Sequence, residues 1–121
     1  MTNDRELLNA AYAHFNAREL EDTLALMQPD VLWPNGMEGG WVHGHQGVRD
    51  YWTRQWAILD PHVDPVGFQA EPDGRIAVSV HQVVHDKTGA LLMDLMIEHV
   101  YRIDNGLIQS MEIRDKQQTT E

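Results

Sequence analysis

Cysteine is absent from the 121 residues, which excludes a disulfide framework, a thiolate metal site and a cysteine nucleophile. Basic residues are scarce: nine lysines and arginines stand against nineteen acids, for a net charge of −10. Such a chain repels phosphate backbones, and no basic stripe offsets the repulsion, so no nucleic-acid partner is expected. No apolar run approaches the ~18 residues that mark a membrane span, so no membrane partner is expected either. The opening Met1-Thr2-Asn3-Asp4-Arg5-Glu6 lacks the character of a signal peptide, and these absences together point to the cytoplasm. There is no internal repeat, no linker and no phosphate-cradling glycine loop, so residues 1–121 are expected to form one domain without an external cofactor.

What is present is strongly patterned. An apolar content of 42% suits one soluble core. Leu8, Ala11, Tyr12 and Phe15 recur at i, i+3, i+4 and i+7, predicting an amphipathic helix over 6–16 that Asn3 or Asp4 caps. Leu20, Leu24 and Met27 predict a short second helix over 19–27, stopped by Pro29. Val31-Leu32-Trp33 predicts a short strand, held extended at Trp33 because Pro34 follows. A turn-rich loop over 35–40 then leads past Trp41 and His43 to a third helix over 46–59, with Val48, Trp52 and Gln55 or Trp56 on its stripe and Asp60-Pro61 at its end. The remainder reads as strands over 62–69, 75–86, 95–103 and 107–115, separated by turns at Glu71-Pro72-Asp73-Gly74, Lys87-Thr88-Gly89 and Asp104-Asn105-Gly106. Helices first and hairpins afterwards give an α+β fold, with the helices on one face of an antiparallel sheet.

The strand over 95–103 carries the chemistry. Alternation puts Leu95, Ile97, His99, Tyr101 and Ile103 on one face, so an imidazole and a phenol stand on an otherwise aliphatic surface. Buried polar groups need partners or a cavity. A three-residue loop at Asp104-Asn105-Gly106 would pair Ile103 with Leu107 and His99 with Met111, and would bring Asp115 onto the same face opposite Leu95. The same loop logic at Lys87-Thr88-Gly89 leans His81 toward that face, although Val78, Val80 and Val84 occupy the opposite side of its strand.

Several segments resemble nuclear transport factor 2-like proteins, nearest to the SnoaL-like and ketosteroid-isomerase-like branch. They are Phe15-Asn16-Ala17-Arg18-Glu19, Leu24-Ala25-Leu26-Met27 with Asp30-Val31, His43-Gly44 with Gly47-Val48-Arg49-Asp50-Tyr51-Trp52, and His99-Val100-Tyr101-Arg102-Ile103 with Gly106-Leu107-Ile108. The resemblance implies a cone: a curved antiparallel sheet wrapped against three N-terminal helices, enclosing one apolar pocket, commonly as a homodimer through the outer sheet face. It does not imply one reaction, because the fold hosts many. In the isomerase pattern the catalytic aspartate base falls on Asn35, the oxyanion tyrosine on Ala11 beside Tyr12, and the protonated aspartate on His99.

His99 and Tyr101 read either as satisfied core residues or as an acid/base and an oxyanion donor, with Asp115 as a carboxylate farther along the face. Tyr12, Trp33, Asn35, Trp41, Trp52, Trp56, His81 and Met111 are the expected ligand contacts, the indoles suiting a flat apolar molecule. His43, His45, His81, His85 and His99 lack carboxylates at matching spacing, and no metal site is assigned to them. The expected partner is a small hydrophobic molecule. Three functions stay open: isomerase- or cyclase-type chemistry through His99 on a carbonyl or hydroxyl compound, ligand binding or protein association without chemistry, and addition of water between His99 and Asp115.

Overall fold

Leu8, Ala11 and Tyr12 are buried along one side of helix α1 (Asp4–Asn16), as their helical spacing requires. A computed structural model describes residues 4–36 and 38–115, the last of these as backbone only. The second helix is shorter than its apolar spacing predicts. α2 spans Leu20–Leu24 and the chain then extends, so Met27 opens β1 (Met27–Pro34) instead of closing the helix. Met27 is buried all the same, because the inward face of the strand continues where the helix face stopped.

Trp41–His43 forms a three-residue strand, β2, paired antiparallel to the end of β1. α3 (Gly44–Ile58) begins two residues before the predicted 46, on Gly44 at φ +75. A Cβ on Gly44 would meet the Pro29 carbonyl at 3.2 Å, so close approach and a left-handed backbone both select glycine there. Buried Val48, Tyr51 and Trp52 form the core side of α3, and Tyr51 was not on the predicted stripe. Strands β3 (Leu59–Ala70), β4 (Ile76–Asp86), β5 (Leu91–Asp104) and β6 (Leu107–Asp115) complete a six-stranded sheet in the order β2-β1-β6-β5-β4-β3. β3 starts directly at Leu59, so Asp60-Pro61 ends the helix by beginning a strand. β1 and β6 run parallel, which makes the sheet mixed where an antiparallel one was expected.

The sheet is curved and open, and the helices fill its concave side, giving the expected cone. Its curvature has identifiable sources. Register shifts leave an extra residue on one strand at Val66 in the β3–β4 pair, at Leu92 in the β4–β5 pair and at Gln109 in the β5–β6 pair. Each bulge bends its strand and increases local twist.

Two of these bulges decide which way the site residues point. At the last hairpin the turn is the two-residue Asn105-Gly106, with φ +53 and +76, and Ile103 pairs with Ile108. The three-residue loop read from the sequence is therefore incorrect, and Ile108 is buried in place of Leu107. The bulge at Gln109 then restores the parity that the shorter turn removed, so Met111 faces inward opposite Tyr101, not His99, and Ile113 lies opposite His99. At the preceding hairpin the base of the loop is as predicted, with the Asp86 amide donating to the Ala90 carbonyl, but the bulge at Leu92 displaces the rest of the ladder by one residue. Val78 then pairs with His99, and His81 pairs with Met96 on the other face.

Asn16 ties the helical layer to the sheet. Its amide donates to the Val63 carbonyl at 2.8 Å and accepts from the Val63 amide at 3.0 Å, so it takes the place of a neighbouring strand on edge strand β3. Removing it strands two partly buried backbone groups. Asn16→Ala is expected to lower unfolding free energy by about 1–3 kcal/mol in urea denaturation. Asn16→Asp, which accepts but cannot donate, should recover only part of that loss.

Candidate functional site

Between the helices and the concave sheet lies a cavity of about 430 Å³, within the range of small-molecule pockets. His99 and Tyr101 project into it from β5, and Tyr12 meets them from α1. All three are buried. The Tyr101 hydroxyl donates to the Tyr12 oxygen at 2.7 Å, and Tyr12 lies 2.7 Å from Nδ1 of His99. A phenol has one proton, so Tyr12, already accepting from Tyr101, gives its own to Nδ1. With the chain donating in that direction, His99 is the neutral tautomer that carries hydrogen on Nε2. Among the described residues Nε2 has no hydrogen-bond partner, and His99 lines the cavity, so that N–H is available to an occupant.

Burial sets the protonation states. Desolvation pushes His99 down from 6.5 to about 4, which leaves it uncharged at neutral pH. Burial also raises Tyr101 well above the ordinary phenol value, and it raises Tyr12, where proximity to Tyr101 adds to the effect. Three polar groups thus satisfy one another without any becoming charged.

The wall of the cavity is aromatic and aliphatic. Trp33 stands perpendicular to Trp52 with centroids 5.5 Å apart, and both line the space along with Met111. Trp56 lies behind this wall, stacked on Trp52 at 5.7 Å and tilted against Phe15 at 5.4 Å. Its Nε1 is the buried side-chain polar atom that lacks a hydrogen bond among the described residues. The expected contact from Trp56 therefore reaches the cavity through Trp52 and Phe15, which line it.

Three other expected contacts lie elsewhere. Trp41 is 54% exposed on the short edge strand β2. His81 lies on the outer sheet face and binds Asp94 at 2.7 Å, because the Leu92 bulge turned it away from His99. Asn35 is buried but works within its own loop: its oxygen accepts from the Glu38 amide at 2.8 Å and its nitrogen donates to the Glu38 carboxylate at 2.9 Å. Pro34 and Gly36 line the cavity on either side of it. The Asn35 contact and Arg54 hold the Glu38 carboxyl below its usual range. The side chain of Asp115 lies outside the described residues; its backbone pairs with Ile97, not with the predicted Leu95.

Sequence reading missed four polar lining residues: Thr23, Tyr51, Gln55 as an assigned contact, and Gln82. The Tyr51 oxygen accepts from the Gly36 amide at 3.0 Å and from Gln55 at 3.3 Å, pinning the loop after β1 to α3. Gln82 had a legible signal, being the one polar residue in the alternating set Val78, Val80, Gln82, Val84. The histidines weighed for metal binding do not converge. His45 is bonded to the Met27 carbonyl, His81 to Asp94 and His99 to Tyr12. Among the described residues the ligand atoms that do converge, within 4.8 Å, belong to His14, Glu19 and Asp22 at the α1–α2 junction, where His14 bonds Glu19 at 2.7 Å. Among the described residues no helix is long and apolar enough to cross a membrane.

Known structures share this arrangement of elements. A nuclear transport factor 2-like protein of unknown function from Burkholderia pseudomallei superposes with a TM-score of 0.81 at 28% identity, over 96% of this chain and 92% of that one. TerC, co-crystallised with polyporic acid, gives 0.78 at 29% identity over 92% and 89%. A candidate polyketide cyclase from Pseudomonas putida gives 0.80 over 97% and 93%, and at 21% identity it shares the fold alone. No curated protein matches the sequence. The SnoaL-like domain profile, however, matches residues 8–111, from the buried face of α1 to the inward-facing methionine of β6, and the chain belongs to the SnoaL-like family of the nuclear transport factor 2-like superfamily.

Proposed function

We propose that the protein binds a small, uncharged, mostly apolar carbonyl or hydroxyl compound in this cavity, and that His99 acts on its oxygen in isomerase- or cyclase-type chemistry. One observation carries the reading. Among the described residues, none of the acids or bases of this charge-rich chain lines the cavity, yet an imidazole N–H there is without a partner. An ionised ligand entering that space loses its hydration without gaining a counter-charge, whereas a carbonyl oxygen gains a donor. The relatives crystallised with polyporic acid and described as a candidate polyketide cyclase support a small-molecule occupant.

The role given to His99 follows from its burial. An imidazole held near 4 is a poor general base at neutral pH but a good neutral hydrogen-bond donor. A second reading, retention of the ligand without turnover, is favoured by one specific fact. Among the described residues no carboxylate lines the cavity, and Asn35, at the position of the isomerase base, is engaged with Glu38.

Trp33 and Trp52 in the wall provide the assay. Titration with 2-naphthol or 1-tetralone should quench tryptophan fluorescence saturably, and 2-naphthoate should bind at least tenfold more weakly. Equal binding of the carboxylate would sink the neutral-ligand reading. His99→Phe should weaken 1-tetralone binding by roughly tenfold, the value of one neutral hydrogen bond.

The depressed value for His99 also has a stability consequence. Between pH 6.5 and about 4 the unfolded chain takes up a proton at this site and the folded chain does not. Its contribution is therefore complete above pH 6.5 and is lost as pH falls toward 4, on the order of 3 kcal/mol in total. Urea denaturation at pH 7.5 and 4.5 should show the parent chain losing about 2–3 kcal/mol more than His99→Gln does.

A further inference from the structure

The hydrogen-bond chain Tyr101–Tyr12–His99 has two ends, and the residues at both ends line the same cavity. The His99 and Tyr101 ring centroids are 6.2 Å apart, so the two termini address one small molecule and not two. We propose that the chain is a two-ended proton shuttle, exchanging a proton between the carbonyl oxygen of a bound ketone at His99 Nε2 and a neighbouring carbon at the Tyr101 hydroxyl. This rests on the reading above that an uncharged carbonyl compound fills the cavity.

The step balances without a co-reactant. The Nε2 proton passes to the carbonyl oxygen, the Tyr12 proton to Nδ1, the Tyr101 proton to the Tyr12 oxygen, and a proton from the carbon beside the carbonyl to the Tyr101 oxygen. Four bonds to hydrogen break and four form. The C–H electron pair becomes the carbon–carbon double bond of the enol, and the carbonyl π pair takes the new O–H. The protein remains neutral, with Nδ1 now carrying hydrogen and the chain pointing the other way. Return of the proton, to the same carbon or to one conjugated with it, runs the path backward and resets the tautomer.

Neutrality is the reason for a chain of three. An imidazolium at His99 or a phenolate at either tyrosine is disfavoured by burial, since among the described residues no charged group lines the cavity. A concerted shift along two 2.7 Å hydrogen bonds creates neither species. It also gives a route for moving a proton from carbon where no carboxylate lines the cavity among the described residues. His99 and Tyr101 would touch the substrate, whereas Tyr12 acts only through them, as the relay that couples their protonation.

The test uses the full chain and 1-tetralone in D2O, with deuterium wash-in at the carbon beside the carbonyl followed by proton NMR. Binding is measured separately by tryptophan quenching. The parent chain should accelerate wash-in at least tenfold over buffer, after the buffer rate at each pH is subtracted, with no titration between pH 6 and 8. Tyr12→Phe and Tyr101→Phe should each lower that rate at least tenfold while 1-tetralone affinity stays within threefold. In 15N spectra, His99 of the parent should be the Nε2–H tautomer, and Tyr12→Phe should abolish that bias. Bound ketone without acceleration, a parent-like rate in folded Tyr12→Phe, or a rate rising through a titration near pH 7 each overturns the shuttle and leaves the binding reading intact. Absence of saturable binding overturns both. If Tyr12→Phe does not fold, Tyr101→Phe, the parent pH profile and the parent tautomer still decide.

Discussion

A sheet that closes around a cavity has to bend more than a regular ladder allows, and this chain meets that constraint with single extra residues on three of its strands. Val66, Leu92 and Gln109 each leave their ladder and shift the register beyond them by one. Because side chains alternate between faces, every bulge also reverses which residues look inward past it. The curvature of the cone and the identity of its lining are therefore one decision. Without the bulge at Leu92, His81 would stand where Gln82 now does; without the one at Gln109, Glu112 would stand opposite His99 where Ile113 now does. Either change would bring a further ionisable side chain into a wall whose imidazole, His99, is held neutral by burial.

The polar content of the cavity is small and internally satisfied, which is why it can be tolerated. An isolated buried hydroxyl or imidazole costs on the order of 1–3 kcal/mol. Tyr101, Tyr12 and His99 cancel most of that by donating in sequence, and within this chain the far N–H of the imidazole is left for an occupant. The charged residues are instead spent outside. Arg114 bridges Glu71 and Glu98, and Arg75 bridges Asp73 and Glu112. Glu98 and Glu112 flank Val100, which is buried although it points away from the cavity. Long ion-paired side chains shielding apolar surface are an ordinary use of their stems.

The sequence made the helical faces, the fold class and the central pair legible, because those depend on local periodicity. Leu8, Ala11 and Tyr12 needed nothing beyond their spacing. His99 and Tyr101 needed only the alternation of one strand and an aliphatic background. What could not be read were quantities set between strands. The loop before β5 was correctly read at its base, and His81 still went to the wrong face; the loop after β5 was misread, and Met111 still went to the right one. No local signal marks Leu92 or Gln109 as a bulge, since the requirement comes from the curvature of the assembled sheet. Asn35 failed for a different reason: a short-range partner, Glu38, satisfied its amide within the loop before the cavity had any claim on it.

The departure from the isomerase pattern is coherent once the pieces are taken together. The isomerase pattern that the sequence resembles implies a base where this chain has an amide bonded within its own loop, and an acid where it has an imidazole. Substituting only one of these positions would leave a half-charged site, with a carboxylate facing an apolar wall or a histidine drawn toward protonation by a nearby anion. Changing both removes ionisable carboxyls from the described lining, and burial then keeps His99 neutral. A neutral imidazole has a tautomer to choose, and the choice falls to whatever bonds Nδ1. Here that is a tyrosine from a different element, itself oriented by a second tyrosine two residues along the strand from the histidine. The contact of Tyr12 on α1 with His99 on β5 thus reaches the chemistry of the site: when Tyr101 donates to Tyr12, it is Nε2 of His99 that presents hydrogen to a ligand.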